Sequence, residues 1–102
     1  PNSYGVYNDY SSPTIQNSVI RASGGSNNYG IYNDAIGGSH TLRINNSQIT
    51  GSTRTIRNDA EFTTRVGASL LDGGAVDANG GTVTCAGVYD ENYAFTAGPA
   101  CP

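Results

Sequence analysis

The hexapeptide Tyr4-Gly-Val-Tyr-Asn-Asp9 recurs as Tyr29-Gly-Ile-Tyr-Asn-Asp34, and a third copy, Arg54-Thr-Ile-Arg-Asn-Asp59, keeps the apolar centre and the Asn-Asp end. Successive copies of this first motif are 25 residues apart. Self-similarity at about 20 to 50 residues is typical of solenoids, in which each repeat buries its apolar face only by stacking on its neighbours. The first motif therefore predicts a stacked repeat architecture.

A second motif, Ile15-Gln-Asn-Ser-Val-Ile20, aligns without gaps with Ile44-Asn-Asn-Ser-Gln-Ile49 and with Val66-Gly-Ala-Ser-Leu-Leu71. Its two ends stay apolar in every copy, whereas its second position changes between Gln, Asn and Gly. This pattern predicts buried ends with an exposed position between them. The connections between the two motifs vary in length, which places them in loops.

Composition and periodicity predict an all-β fold in a single domain over residues 1–102, with repeat coils over 1–81 and a C-terminal coil and cap over 82–102. Only 13% of the residues are charged, and the 36% hydrophobic content includes just two Phe. This composition favours a thin core of small side chains, which a β-solenoid needs, over a large globular core. The chain opens at Pro1 almost directly into a first motif, so we expect further coils upstream in the parent protein.

Charge and hydropathy exclude two classes of partner. The five basic residues are all arginine and are scattered along a chain of net charge -3, whereas nucleic-acid binding calls for a basic stripe. No apolar run approaches the about 18 residues of a transmembrane helix. We therefore expect neither a nucleic-acid partner nor membrane insertion, and nothing in the sequence implies a cofactor.

Asparagine occupies the fifth position of every copy of the first motif. Strand alternation that points the apolar third position inward also points this asparagine inward, and it places Tyr4 on the same side as Val6 and Asn8. Stacked parallel strands lie about 4.8 Å apart, so each amide can bond to the next one. The predicted inward columns are Val6, Ile31 and Ile56 for the apolar positions and Asn8, Asn33 and Asn58 for an asparagine ladder.

A second, shorter ladder is predicted at the third position of the second motif. It contains Asn17 and Asn46 and ends where the third copy has Ala68. We expect a water molecule or a backbone group to complete the hydrogen bonding of Asn46.

The two cysteines, Cys85 and Cys101, follow the clear repeats. Their even number and the absence of a Cys/His cluster favour a disulfide that closes the C-terminus, with two reduced and partly buried thiols as the alternative. Such a bond contributes about 3 kcal/mol in the chain-entropy model. We expect the tail from Asn92 to Pro102, with Phe95, to cap the core, and both Val83–Cys85 and Gly87–Asp90 are candidates to continue the first-motif column.

The chain resembles bacterial secreted right-handed parallel β-helix repeat proteins of the pectate-lyase-like superfamily. The resemblance rests on the first motif, on Ser11-Ser-Pro-Thr-Ile15, on Ala22-Ser-Gly-Gly-Ser-Asn-Asn-Tyr29 and on the closing segment Thr84-Cys-Ala-Gly-Val-Tyr-Asp-Glu-Asn92. It implies a right-handed parallel β-helix of about three to four coils and an extracellular or cell-surface location. The superfamily includes polysaccharide lyases, hydrolases, phage tailspikes and adhesins.

Tyr7, Tyr32 and Arg57 form one column that alternation places on the outer face. Gly5, Gly30 and Thr55 are expected beside them, leaving the rings uncovered. Stacked aromatic side chains next to small residues predict a platform for sugar rings or for a partner surface, with Arg57 in cation-π contact with Tyr32. The alternative is a ladder that only stiffens the sheet.

Three further patterns are weaker. Asp9, Asp34 and Asp59 share one column, but a Ca²⁺ site needs about six to eight oxygen ligands, so we expect a solvated turn and no metal. The pair Ser39 and His40 predicts an exposed loop histidine in preference to a catalytic pair, and no catalytic residue is assigned. Pairs of threonines separated by one residue, such as that in Thr82-Val-Thr84, occur in the sequence. The different pairs lie in different columns, so we expect no regular threonine array.

The function that these patterns favour is a non-enzymatic extracellular module, part of a surface or fibre protein, that presents a rigid face to glycans or to other chains. A fragment of a polysaccharide-active enzyme, either a lyase or a hydrolase, is the alternative. Low surface charge and the aromatic column also predict self-association into a homo-oligomer or a fibre.

Overall fold

The computed structural model describes all residues, 1–102, and contains twelve β-strands and no helix. No helix long and apolar enough to cross a membrane is present. The strands are β1 (Asn2–Asp9), β2 (Thr14–Gln16), β3 (Val19–Ala22), β4 (Asn27–Asp34), β5 (His40–Asn45), β6 (Gln48–Gly51), β7 (Arg54–Asn58), β8 (Phe62–Gly67), β9 (Leu70–Gly73), β10 (Thr82–Ala86), β11 (Val88–Asp90) and β12 (Phe95–Thr96).

The chain visits three sheets in turn, and we call one such visit to all three a pass. Sheet A has the order β1-β4-β7, sheet B β10-β8-β5-β2, and sheet C β12-β11-β9-β6-β3. All neighbouring strands run parallel except β12, which is antiparallel to β11. The all-β prediction is confirmed, and the mainly parallel pairing is compatible with a β-helix-like fold.

The apolar columns pair in register from one pass to the next. In sheet A, Ile31 lies opposite both Val6 and Ile56. Sheet B carries the column Ile15, Ile44, Val66 and Cys85, and sheet C carries Ile20, Ile49 and Leu71. These columns form one core between the sheets, in which Ile31, Ile44, Ile49 and Ile56 are fully buried.

The second motif bends between two sheets, which the sequence did not predict. Ile15 lies in sheet B and Ile20 in sheet C, because the residue at the third position of the motif adopts a left-handed backbone conformation. The φ angles along this corner are 52° for Asn17, 49° for Asn46, 47° for Ala68 and 66° for Gly87. Asparagine and glycine tolerate this conformation better than other residues. The corner, and not only side-chain bonding, therefore explains the asparagines there.

Serines next to the left-handed residues bond each pass to the next. Ser47 Oγ accepts the backbone N–H of Ser18 at 3.1 Å, and Ser69 Oγ accepts the backbone N–H of Ser47 at 3.0 Å. Each of the three hydroxyls also donates to the carbonyl two residues earlier in its own pass. This buried serine column satisfies backbone groups at a corner where the sheets do not continue.

The asparagine ladder of sheet A is confirmed. Asn8 Nδ2 donates to Asn33 Oδ1 at 3.3 Å, and Asn33 Nδ2 donates to Asn58 Oδ1 at 2.9 Å. Asn58 Nδ2 then donates to the Thr82 carbonyl at 3.1 Å, and Thr64 Oγ1 in sheet B donates to Asn58 Oδ1 at 2.9 Å. The ladder thus links sheets A and B as well as the three passes.

The predicted bond between Asn17 and Asn46 is also present, since Asn46 Nδ2 donates to Asn17 Oδ1 at 2.8 Å. Unlike the ladder of sheet A, this bond is exposed. The backbone N–H of Asn46 donates to the carbonyl of Gly67 in the next pass at 3.0 Å. The equivalent backbone bond joins Asn17 N–H to the Asn45 carbonyl at 3.2 Å, so this contact belongs to the corner itself, and the expected backbone partner for the Asn46 side chain is not found.

The predicted disulfide between Cys85 and Cys101 is present, with a Cα–Cα distance of 5.0 Å. Cys85 is the last member of the sheet B core column, so the bond fixes the tail to the end of the core. The Pro99 carbonyl accepts the backbone N–H of Cys85 at 2.8 Å. The expectation that Phe95 covers the core is wrong, because β12 pairs at the edge of sheet C and leaves that ring 69% exposed.

Neither candidate segment continues the first-motif column after the third pass. Val83 and Cys85 belong to β10 in sheet B, and Val88–Asp90 forms β11 in sheet C. The place next to β7 is taken instead by Asp77, which makes an isolated parallel bridge to Arg57. The repeat pattern does not predict the position of Asp77, because the fourth visit to sheet A consists of one bridge and contains no copy of the first motif.

Replacing Asn33 by Ala should destabilise the protein more than replacing Asn8 by Ala. Asn33 accepts from one ladder neighbour and donates to the next, and its loss leaves buried amide groups without partners. We expect a loss of about 1 to 3 kcal/mol for Asn33→Ala. The control is Asn27→Ala, because Asn27 Nδ2 bonds to Asn2 Oδ1 at 3.1 Å on the exposed part of the same strand. Equal chemical-denaturation midpoints for the three variants would contradict a stabilising buried ladder.

Replacing Ala68 by Asn should stabilise the protein by about 1 kcal/mol, because alanine is strained in the left-handed conformation that asparagine tolerates. The new side chain would also extend the exposed ladder from Asn46. Ala86→Asn is the control, since Ala86 is an exposed alanine within β10. A melting temperature that rises equally in both variants would show that the backbone conformation is not the cause.

Candidate functional site

Four tyrosines lie together on the outer face of sheet A, and we call Tyr4, Tyr7, Tyr29 and Tyr32 the tyrosine cluster. Strand alternation predicted Tyr4 on the inner side with Val6, and that prediction is wrong. Gly5 faces inward, where an added Cβ would lie 2.6 Å from Ile20 Cγ2. Because the chain bends toward the core at this glycine, residues 4 and 7 point to the same outer face.

The small residues Gly5, Gly30 and Thr55 were expected on the surface beside the tyrosine rings, and this prediction is also wrong. Gly30 is buried, and an added Cβ there would lie 2.6 Å from Ile49 Cγ2 and 2.6 Å from the Thr55 carbonyl. Thr55 is 1% exposed and donates to the Gly74 carbonyl at 3.0 Å. This column allows close packing against sheet C, and the tyrosines are exposed for a different reason, namely the bend.

The rings of the tyrosine cluster stack along the sheet and touch edge to face across it. Tyr7 and Tyr32 lie 5.4 Å apart at 7°, and Tyr4 and Tyr29 lie 5.7 Å apart at 15°. Edge-to-face contacts of 5.1 to 5.2 Å join the two stacks. The rings therefore fix one another, while Tyr7 stays 49% and Tyr4 38% exposed.

Arginines continue both tyrosine stacks into the third pass. Arg57 lies in register with Tyr32, with its guanidinium carbon 4.9 Å from the ring centre, and it donates to the Tyr32 hydroxyl. The same guanidinium lies 3.9 Å from Asp59 and 3.7 Å from Asp77. Arg54 lies in register with Tyr29. The sheet A face thus combines aromatic, cationic and acidic groups within three neighbouring strands.

The acidic column is tied to the tyrosines by hydrogen bonds. The Tyr7 hydroxyl donates to Asp34, which raises the pKa of Tyr7 to about 12 and lowers the pKa of the Asp34 carboxyl. Burial raises the pKa of Asp59, and a hydrogen bond to Asp34 acts in the same direction. Asp59 also accepts the backbone N–H of Ala35 at 3.1 Å. The pKa values of Asp34 and Asp59 therefore shift in opposite directions as those of an interacting pair, so the column is not a row of independent charges.

No group of three or more His, Cys, Asp or Glu side chains is arranged to hold a metal ion. In the acidic column the oxygens of Asp34 and Asp59 are engaged by Tyr7, by Ala35 and by each other. Asp59 is in addition within ion-pair distance of Arg57. This face therefore offers a hydrogen-bonding surface in which the carboxyl groups already have protein partners.

His40 is not the exposed loop residue that the sequence predicted. It begins β5 and is partly buried, with its ring centre 5.2 Å from Phe62 and 6.1 Å from Tyr10. Its buried Nε2 has no hydrogen-bond partner, and Ser39 makes no hydrogen bond to it. The histidine packs against aromatic rings, and the structure brings no nucleophile to it.

The outer face of sheet B carries a second group of polar side chains that the sequence analysis missed. Thr41, Thr63 and Thr82 lie in register and form a regular threonine column, contrary to the expectation that none exists. Beside it, Arg43 lies opposite Arg65. Both arginines are exposed. Their spacing of 22 residues differs from the 25-residue period, but both directly precede the second motif, whose alignment of Ile44 with Val66 could have indicated the pair.

The chain matches no known protein family, no curated protein and no solved structure. The functional argument therefore rests on the two outer faces just described.

Replacing Asp59 by Asn should stabilise the protein at neutral pH and flatten its pH dependence. A raised pKa in the folded state means that the stability contributed by this group is complete below its ordinary value of 3.8 and is lost as the pH rises through the raised value. The lowered pKa of Asp34 acts in the opposite sense and below 3.8, outside this window.

We therefore expect the melting temperature of the unmodified protein to fall relative to that of Asp59→Asn as the pH rises from about 4 to 7. Asp72→Asn is the control, because it removes the same charge from sheet C. Parallel curves for the unmodified protein and Asp59→Asn would contradict the raised pKa of Asp59.

Proposed function

We propose that this chain is a non-enzymatic extracellular module that binds glycans through the outer face of sheet A. The tyrosine cluster is the observation that carries the proposal. Tyr7 and Tyr4 are exposed aromatic side chains held by stacking, and Arg57 and the acidic column lie next to them. Sugars combine apolar C–H faces with hydroxyl groups, so a ligand of this class matches an aromatic surface bordered by donors and acceptors.

Rigidity is the property that makes this surface suitable for weakly charged ligands. Each ring of the cluster contacts two or three others, and the Tyr7 hydroxyl is fixed on Asp34. Binding to side chains that are already ordered avoids much of the entropy loss of about 0.5 to 1.5 kcal/mol per immobilised side chain. A sugar ring would pack on the free part of Tyr7 and Tyr4, because the other ring surfaces are covered within the cluster.

The extracellular location is supported by the disulfide between Cys85 and Cys101, which is typical of oxidising compartments. We further infer that the three complete passes and the partial fourth form a right-handed β-helix of three to four coils. The resemblance of the repeats to secreted β-helix proteins supports this handedness and a surface or fibre context.

Self-association is a second interaction that we propose for the same module. Several large apolar side chains outside the cluster are exposed, among them Tyr10, Tyr93 and Phe95 at 50%, 76% and 69%. Exposed aromatic side chains on a surface of low charge favour contacts between copies, in a homo-oligomer or a fibre.

A polysaccharide-active enzyme is the competing function, and one observation favours it. Asp34 and Asp59 have pKa values that shift in opposite directions, which is how an acid and a base are separated in catalytic carboxyl pairs. However, catalytic carboxyl groups of glycosidases must be free to act on a sugar between them, whereas Asp34 accepts from the Tyr7 hydroxyl and Asp59 accepts from the Ala35 backbone and lies within ion-pair distance of Arg57. Binding without cleavage therefore fits the geometry better.

The test is affinity electrophoresis of the protein in gels that contain neutral polysaccharides such as mannan, xylan or dextran. We expect retardation by at least one of them and about tenfold weaker binding by Tyr7→Ala, equivalent to about 1.4 kcal/mol. Tyr93→Ala is the matched control, because it removes another exposed tyrosine far from sheet A in sequence and should bind normally.

Equal weakening in both variants, or no retardation by any polysaccharide, would contradict the proposal. An assay for new reducing ends, carried out on the same polysaccharides, separates the two functions. Cleavage of a polysaccharide that is lost in Asp34→Asn would show that the protein is an enzyme and not a non-enzymatic binding module.

A further inference from the structure

The outer face of sheet B places two arginines side by side without any acidic partner. Arg43 in β5 lies directly opposite Arg65 in β8, and both side chains are exposed. The two ion pairs of the protein both involve Arg57, on sheet A. We call Arg43 and Arg65 the arginine pair.

Such a pair is unfavourable by itself. Like charges directly opposite each other on neighbouring strands destabilise a sheet. The chain has eight acidic residues against five basic ones, yet none of the eight forms an ion pair with either member. An anion bound between the two guanidinium groups would remove the repulsion and satisfy their donors.

The residues around the arginine pair complete a row of hydrogen-bond donors. Thr14 lies in register with Arg43, and Thr84 lies in register with Arg65. Four adjacent strands therefore present hydroxyl, guanidinium, guanidinium and hydroxyl groups in one line across sheet B. Because neighbouring strands are about 4.8 Å apart, the line is long enough for several oxyanion groups of one extended ligand.

A depression runs beside this row. It has a volume of about 380 Å³ and is lined by Arg43, Arg65, Thr84, Asn45, Gly67 and Ala86, among which there is no acidic residue. Gly67 leaves this part of the depression open, since an added Cβ would lie 2.9 Å from the Asn45 side-chain oxygen Oδ1. The small side chains at 67 and 86 leave room for a ligand next to the guanidinium groups.

We propose that the arginine pair binds a tetrahedral oxyanion, in the form of a sulfate or phosphate ester carried by a polysaccharide. A carboxylate has two oxygens in one plane, and one arginine can bind both of them with two parallel hydrogen bonds. A tetrahedral oxyanion has oxygens that diverge, so it accepts from both arginines and from a neighbouring hydroxyl at once. This site is separate from the tyrosine cluster and does not depend on the function proposed for sheet A.

A polysaccharide fits this face better than a nucleic acid does. The basic groups of sheet B are limited to the arginine pair, within a chain of net charge -3, whereas nucleic-acid surfaces neutralise many phosphates along a basic stripe. A sparsely charged chain of sugars presents isolated esters, and the flat threonine column beside the pair offers hydroxyl groups to the rings between them.

The experiment measures binding by isothermal titration at low salt with four probes. These are dextran sulfate, phosphorylated dextran, unmodified dextran and single-stranded DNA. We expect either esterified dextran to bind at least tenfold more tightly than unmodified dextran, and the comparison of the two identifies the preferred ester. The variant Arg43→Gln/Arg65→Gln should weaken that binding about tenfold or more, because it removes charge-assisted hydrogen bonds.

Two controls separate this site from general charge attraction and from sheet A. Arg21→Gln/Arg54→Gln removes the same charge from sheets C and A and should leave the binding of the ester nearly unchanged. Tyr7→Ala should lower the affinity for esterified and for unmodified dextran by the same factor, so the preference for the ester is retained and failure of the glycan site on sheet A would be visible separately. Arg65→Glu should raise the melting temperature, since it places an acid opposite Arg43, and should abolish binding of the ester while the fold is retained.

Three outcomes would overturn the proposal. The first is no binding of either ester, and the second is equal weakening in Arg21→Gln/Arg54→Gln, which would reduce the effect to net charge. The third is tighter binding of single-stranded DNA than of both esterified dextrans, which would assign the face to a nucleic acid.

Discussion

The hydrogen bonding of the buried asparagine amides is the constraint on which the rest of the structure depends. Asn33 is fully buried, and its amide is satisfied by the asparagines directly before and after it in the stack and by Thr64 Oγ1, which accepts from Asn33 Nδ2 at 3.3 Å. A slip of one residue in any strand of sheet A would turn this side chain outward and leave its neighbours unpaired in the core. The period of 25 residues between first motifs is therefore fixed, whereas the connections after them vary.

The corners and the ladders stabilise the protein where a large apolar core is absent. The core cluster contains nine buried residues, so burial of apolar surface alone is limited. The serine column, and the bond that Asn33 Nδ2 donates to Thr64 Oγ1, join neighbouring passes and are shielded from water. Asn, Ser and Gly are residue types that are common in loops. In this protein they stabilise the fold, because they either satisfy backbone hydrogen-bonding groups at a corner or permit the backbone conformation of the corner.

The sequence predicted the features that follow from regular alternation and from the constant period. Val6 and Asn8 point inward as expected, because β1 is regular from residue 6 onward. Tyr4 does not, since the bend at Gly5 depends on the position of Ile20, which no local pattern reveals. The third sheet was missed for a similar reason, because the left-handed residue at position 17 turns the second motif from sheet B into sheet C.

The arginine pair shows that the 25-residue period alone cannot predict which residues meet on the outer face of sheet B. Ile15 to Ile44 spans 29 residues and Ile44 to Val66 spans 22, so the strands of sheet B share no common period. Their register is set by the core positions at residues 44 and 66, and the neighbours at 43 and 65 are brought together as a consequence. Three-dimensional stacking therefore assembles this face from residues that an alignment of equal periods leaves apart.

The division between inner and outer positions determines how the two faces relate to each other. Side chains at inner positions pack and bond within the stacked columns. The side chains on each outer face are therefore chemically independent of the core and of the other sheet. Sheet A presents aromatic and acidic groups, and sheet B presents arginine and threonine. Because a ligand couples two sites only through a difference between two global states, and the interlocked columns provide a single arrangement, we expect binding at the two faces to be additive.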